Sequence, residues 1–251
     1  MALEVTALVS AAILTLQSSL TRSQTSLTSQ GLMPHKHQLN RSQIATRIDV
    51  EDRVFKSIQL DNKDAENYYN RGLVYFKQKN YQKALAAFTK AIELNPRDSN
   101  IYNIRGIVYS KVTMYQNALA DFTKAIQLEP KNANAYNNRG LAYLLLKAYR
   151  RALADFNKVI RLIPENAGAY NNRGITYSKL KAYQSAISDY NRAIEINPNY
   201  AEAYINRGLV YREMGKKQKA TKDIQKSAVL FQQQGDLDSY QQVQHIIEKL
   251  R

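Results

Sequence analysis

"YNNRG" occupies residues 136–140 and returns letter for letter at 170–174. Looser copies stand at 68–72 (YYNRG), 102–106 (YNIRG) and 204–208 (YINRG), each 34 residues from the next. Gly72, Gly106, Gly140, Gly174 and Gly208 keep that step, and so do Pro96, Pro130, Pro164 and Pro198. A fixed period shared by glycines and prolines marks a repeat architecture. The units run 65–98, 99–132, 133–166, 167–200 and 201–234.

Counting places within a unit, the fourth is always Tyr, the eighth Gly, the eleventh Tyr and the twentieth Ala. The twenty-fourth is Phe88, Phe122, Phe156, Tyr190 and Ile224. Places 4, 8 and 11 share one helical face, as do 20, 24 and 27. Each unit therefore reads as two amphipathic helices, and the proline near its end stops the second. Short loops make the pair antiparallel. Gly at place 8 and Ala at place 20 are expected to let the two backbones approach, with tyrosines packed around the contact. One pair cannot bury its whole apolar surface, so neighbouring units must stack.

These places resemble the tetratricopeptide repeat, a 34-residue pattern of an aromatic, a small residue, Tyr, Ala, Phe, Ala and Pro. The resemblance covers 65–234. It implies an all-α, right-handed solenoid of five helix-turn-helix repeats whose first helices line a concave groove. The chain departs from the family at place 7, usually Leu, which is Arg in all five units. Capping helices are expected at both ends. Residues 49–64 read as a degenerate half repeat, because SIQLDNKD at 57–64 matches AIELNPRD at 91–98. Residues 235–251 carry the closing helix, at 236–250, with Asp236 as N-cap.

The tail 1–48 differs in kind. Its first 20 residues place apolar side chains at amphipathic spacing, too short and mixed for a membrane span. They also lack the basic start of a signal peptide. Membrane contact through 1–20, export or organelle targeting by 1–48, and a plain tail all stay open. The segment 20–48 is rich in Ser, Thr, Gln and basic residues without an acid, which predicts little stable order. A soluble, cytoplasmic or intracellular chain is the expected setting.

Chemistry is sparse. There is no cysteine, and the three histidines, His35, His37 and His245, lie outside the repeats. No glycine-rich phosphate loop exists. No enzyme, metal or cofactor is expected. The expected partner is another protein, with a peptide or helix held in the groove.

The groove residues follow from direction on the first helix. Place 6 points away from the hairpin partner, so Asn70, Asn138, Asn172 and Asn206 are expected to face the groove, a row broken at Ile104. An amide both donates and accepts, so such a row can hold a peptide backbone, similar to the asparagine ladder of some family members. Place 9 (Leu73, Ile107, Leu141, Ile175, Leu209) gives an apolar floor, and Lys77, Lys111 and Lys179 stand at place 13. The carboxylate clamp of chaperone-binding members is not kept, since place 9 is aliphatic and place 2 has no Lys. At the edge of the core face, Arg105, Arg139, Arg173 and Arg207 are expected to pair with an Asp at place 23 (Asp121, Asp155, Asp189, Asp223) of the same or the preceding unit. Ala87 breaks the aspartate series in the first unit, so one Arg must lack this partner.

The net charge of +15 keeps an alternative alive, a basic protein that binds nucleic acid or an anionic surface. The cations are spread over every unit, with a local cluster at Lys216, Lys217, Lys219 and Lys222.

Overall fold

The structure, a computed structural model, describes residues 64–249. The tail 1–48 and the front helix expected at 49–64 lie outside the described residues, apart from Asp64. Among the described residues there are eleven α-helices and no strand. The chain falls into two compact units that divide between Pro130 and Lys131.

In the part before that division, α1 (Ala65–Lys77) pairs with α2 (Tyr81–Leu94), and α3 (Ser99–Lys111) with α4 (Tyr115–Leu128). In the part after it, α5 (Ala133–Leu145) pairs with α6 (Tyr149–Leu162), α7 (Ala167–Lys179) with α8 (Tyr183–Ile196), and α9 (Ala201–Glu213) with α10 (Lys217–Gln234). The last helix, α11 (Leu237–Glu248), packs on α10.

The boundaries are set locally. Four first helices begin at an Asp or Asn whose side chain accepts from the backbone of the first turn: Asp64 from Glu66, Asp98 from Asn100, Asn132 from Ala135 and Asn166 from Ala169. Such a cap is worth about 1 kcal/mol, so Asn166→Ala would fray α7 by that amount. The second helices of the first four repeats end two residues before Pro96, Pro130, Pro164 and Pro198. Within every hairpin the chain reverses through one left-handed residue at place 15: Lys79, Thr113, Lys147, Lys181 or Gly215.

The glycines at place 8 do something other than admit a backbone. A Cβ built on Gly72, Gly106, Gly140 or Gly174 would lie 2.5–2.8 Å from the ring at place 24, Phe88, Phe122, Phe156 or Tyr190. Each glycine is a seat for an aromatic edge, which corrects the expected backbone contact. In the fifth repeat Ile224 is smaller than a ring, and there the Ala220 carbonyl does come within 3.2 Å of the Gly208 position. These rings, with Ala84, Ala118, Ala152 and Ala186, are wholly buried. Tyr143, Tyr149, Tyr177, Tyr183 and Tyr211, at places 11 and 17, are half-buried and pack around the core of residues 141–214.

The closing helix is capped by Asp236, whose carboxylate accepts from Ser239 N at 3.0 Å. Val243, Tyr240, Ile246 and Ile247 seal the fifth repeat against Leu230 and Phe231. Leu237, at the helix start, is exposed.

Candidate partner-binding face

The place-7 arginines form a repeated device. Arg105 donates from Nε and Nη2 to the two oxygens of Asp121, both at 2.8 Å. Arg139 holds Asp155 at 2.9 and 2.8 Å, Arg173 holds Asp189 at 2.8 and 2.7 Å, and Arg207 holds Asp223 at 2.7 and 2.8 Å. All four pairs lie within a single repeat and are largely buried. The planar fork of Arg fits a carboxylate in this bidentate way. The guanidinium of Arg173 also lies 5.5 and 6.0 Å from the ring centres of Tyr170 and Tyr177, within cation–π range. Hydrogen bonding to Asp189 raises the Arg173 pKa, with burial opposing.

The same arginines also reach the preceding repeat. Nη1 of Arg105 donates to Thr89 at 3.0 Å, that of Arg173 to Asn157 at 2.6 Å, and that of Arg207 to Asn191 at 2.6 Å. All three acceptors stand at place 25. This place, which reads Thr89, Thr123, Asn157, Asn191 and Gln225, was not singled out from the sequence; a signal existed in its constant hydrogen-bonding capacity.

The asparagine row is not an open surface. Asn138, Asn172 and Asn206 are 4, 1 and 2 % exposed, whereas Asn70 is exposed. Asn172 Nδ2 donates to Asn137 Oδ1 at 3.1 Å, and Asn206 Nδ2 to Asn171 Oδ1 at 3.0 Å. The direction opposite the hairpin partner is therefore occupied, in residues 131–249, by the first helix of the neighbouring repeat. Place-6 amides join repeats there rather than facing a groove. Asn171 Nδ2 and Asn172 Oδ1 are buried without a hydrogen-bond partner.

The expected apolar floor is corrected likewise. Ile107, Leu141 and Ile175 are buried, and the last two lie in the core between repeats with Phe156 and Tyr190. Leu73 and Leu209 remain half-buried. At place 13, Lys77 is exposed while Lys111 and Lys179 are half-buried at the ends of α3 and α7. Burial lowers the pKa of both ammoniums, and neither has an acid partner among the described residues. A desolvated cation without a counter-ion costs free energy. Among the described residues no cluster of His, Asp and Glu could hold a metal, and no helix is long and apolar enough to cross a membrane.

Comparison with known families agrees with the geometry. Models of the tetratricopeptide repeat match residues 65–98, 133–166 and 167–200, a TPR-repeat model matches 114–147, and a further tetratricopeptide-repeat model matches 87–120 and 189–222. Together they run without a gap from residue 65 to residue 222, and the chain belongs to the tetratricopeptide-repeat family. Proteins of this family are generally protein-interaction scaffolds and typically non-enzymatic.

Several solved structures share the fold. MamA, from residue 41 to its end, of Desulfovibrio magneticus RS-1 is 22% identical with a TM-score of 0.63, over 70% of this chain and 98% of that one. YrrB, described as a TPR protein with an unusual peptide-binding site, is 24% identical with a TM-score of 0.57, over 76% and 97%. The pilF protein of Pseudomonas aeruginosa is 18% identical with a TM-score of 0.58, over 74% and 91%. A search of curated proteins gave no match.

Proposed function

We propose that this chain is a non-enzymatic adaptor that holds an extended or helical segment of a partner protein on the face of its first helices. The half-burial of Lys111 and Lys179 without an acid partner carries this reading. Both occupy place 13, so an acidic side chain or chain end on the segment would relieve a cost that the protein bears alone. Lys77 adds an exposed cation at the same place. The buried asparagines take a different part from the one expected of them: within residues 131–249 they fix the spacing of first helices. Peptide binding by YrrB supports the class of function and not a particular partner.

The test is capture of partners from nuclease-treated lysate on the full chain and on a Lys111→Glu/Lys179→Glu variant, with circular dichroism to confirm folding. A protein held by the wild type and lost by the folded variant, then shown to bind through an acidic segment, is the expected result. Equal capture by both would remove the first-helix lysines from the function.

A further inference from the structure

Within residues 131–249 the hydrogen bonds Asn172–Asn137 and Asn206–Asn171 set α5, α7 and α9 side by side and parallel, at one constant offset. The turns leading to α6, α8 and α10 therefore lie along a single edge. On that edge stand Lys147, Arg150, Lys181, Lys216, Lys217 and Lys219, all exposed. None forms an ion pair with a described acid. Most acids of this part are elsewhere: Asp155, Asp189 and Asp223 are buried against arginines, and Glu165, Glu195, Glu202, Asp236 and Asp238 lie toward the opposite edge. Glu213 and Glu248, at the ends of α9 and α11, are the acids at the basic edge.

Helix electrostatics call for only part of these cations. The C-terminal ends of α5, α7 and α9 favour positive charge, while the N-terminal starts of α6, α8 and α10 disfavour it. The second group has no acid in its first turn and no side-chain cap at Ala148, Ala182 or Lys216. The same turns also expose apolar tips. Leu146 is 37 % and Leu180 43 % exposed, each one residue before a lysine.

Leucines flanked by unpaired lysines match two layers of a bilayer at once, the acyl boundary and the phosphate headgroups. A nucleic-acid backbone would take the lysines but has no use for the leucines. A single strand would also want exposed rings to stack on, and the nearest, Tyr149 and Tyr183, pack against the core. We propose that this edge docks the protein on an anionic lipid surface, leaving the first-helix face open to a protein partner.

The test is flotation of the full chain with vesicles of phosphatidylcholine alone or with about a third phosphatidylglycerol. Each cation near such a surface is worth about fivefold in partitioning. A Lys147→Glu/Lys181→Glu/Lys217→Glu variant should lose at least about a hundredfold on the anionic vesicles. Leu146→Ser/Leu180→Ser should weaken binding while the charge is unchanged. Lys90→Glu/Lys124→Glu/Lys131→Glu, with the same change in net charge, should bind close to wild type, and circular dichroism checks that all variants fold.

The proposal is overturned if anionic vesicles do not float the protein. It is also overturned if the edge variant binds as well as wild type, which would assign binding to another segment, or if the control variant loses as much, which would reduce the effect to net charge. Preference for an oligonucleotide over vesicles with the same variant dependence would overturn it in favour of nucleic acid.

Discussion

Arg173 grips Asp189 in its own repeat through two hydrogen bonds of 2.8 and 2.7 Å, and with its remaining nitrogen holds Asn157 in the repeat before at 2.6 Å. One side chain thus closes a hairpin and ties it to its neighbour. Place 7 is usually Leu in the family, a side chain with no hydrogen bond to offer. Arg replaces that apolar contact with a directional one, and its stem can still lie along the core.

Removing one partner of this pair should be costly. Asp189→Leu leaves a largely buried guanidinium without its carboxylate, a loss of about 3 kcal/mol. Arg173→Met should lose a similar amount. The double variant should lose clearly less than the sum, because neither charge is then stranded. Urea denaturation of the four proteins gives the coupling, and strict additivity would show that the pair contributes nothing beyond its separate parts.

Tyr190 fills the seat that Phe88, Phe122 and Phe156 fill in earlier repeats, with its ring against Gly174. Its hydroxyl is buried without a hydrogen-bond partner, and burial raises its pKa well above the ordinary value. Tyr190→Phe deletes the orphan oxygen and keeps the ring. A gain of about 1–2 kcal/mol is expected. A loss on denaturation would mean that the hydroxyl has a partner in solution.

The repeat period, the proline stops and the Asp236 N-cap were legible in the sequence because each is decided within a few residues. The same local rule covers Asp64, Asp98, Asn132 and Asn166, which satisfy first-turn donors of their helices and which were not singled out from the sequence. The direction of the asparagines was misread for a reason of geometry. A helical wheel for one hairpin leaves Asn138 and Leu141 opposite the partner helix and so apparently open. First helices in a repeat have a second neighbour, and its register enters through a contact such as Asn172–Asn137, 35 residues apart. The place-25 acceptors were missed on the same ground. Asn157 serves an arginine of the following repeat, so nothing in its own unit explains it.

The turns at place 15 predict a stabilising change. Thr113 has a φ of 61°, a region that β-branched residues rarely occupy. Gly215 takes the same place in the fifth repeat with a φ of 72°. Thr113→Gly should gain about 1 kcal/mol from released strain, offset in part by the entropy of a more flexible unfolded chain. The converse change, Gly215→Thr, should cost about as much. Thermal unfolding of both variants reads the signs, and equal effects in one direction would count against the strain.

Glu202 predicts a pH dependence. It lies in the first turn of α9, where burial, and to a lesser degree the charge of Asp236, raise its pKa above the ordinary 4.5, opposed by a hydrogen bond to its own backbone. The folded protein therefore holds this proton more tightly than the unfolded chain does. Its contribution to stability is fully present below the ordinary glutamate value and is lost as pH rises through the raised one. Glu202→Gln cannot ionise, so the variant should lose less stability than wild type between pH 4.5 and neutrality. It should be the more stable protein at neutral pH and lose that advantage in acid. Urea midpoints of the two proteins across this range give the difference directly. Parallel curves would place the Glu202 carboxylate in water and remove burial as the source of its shift.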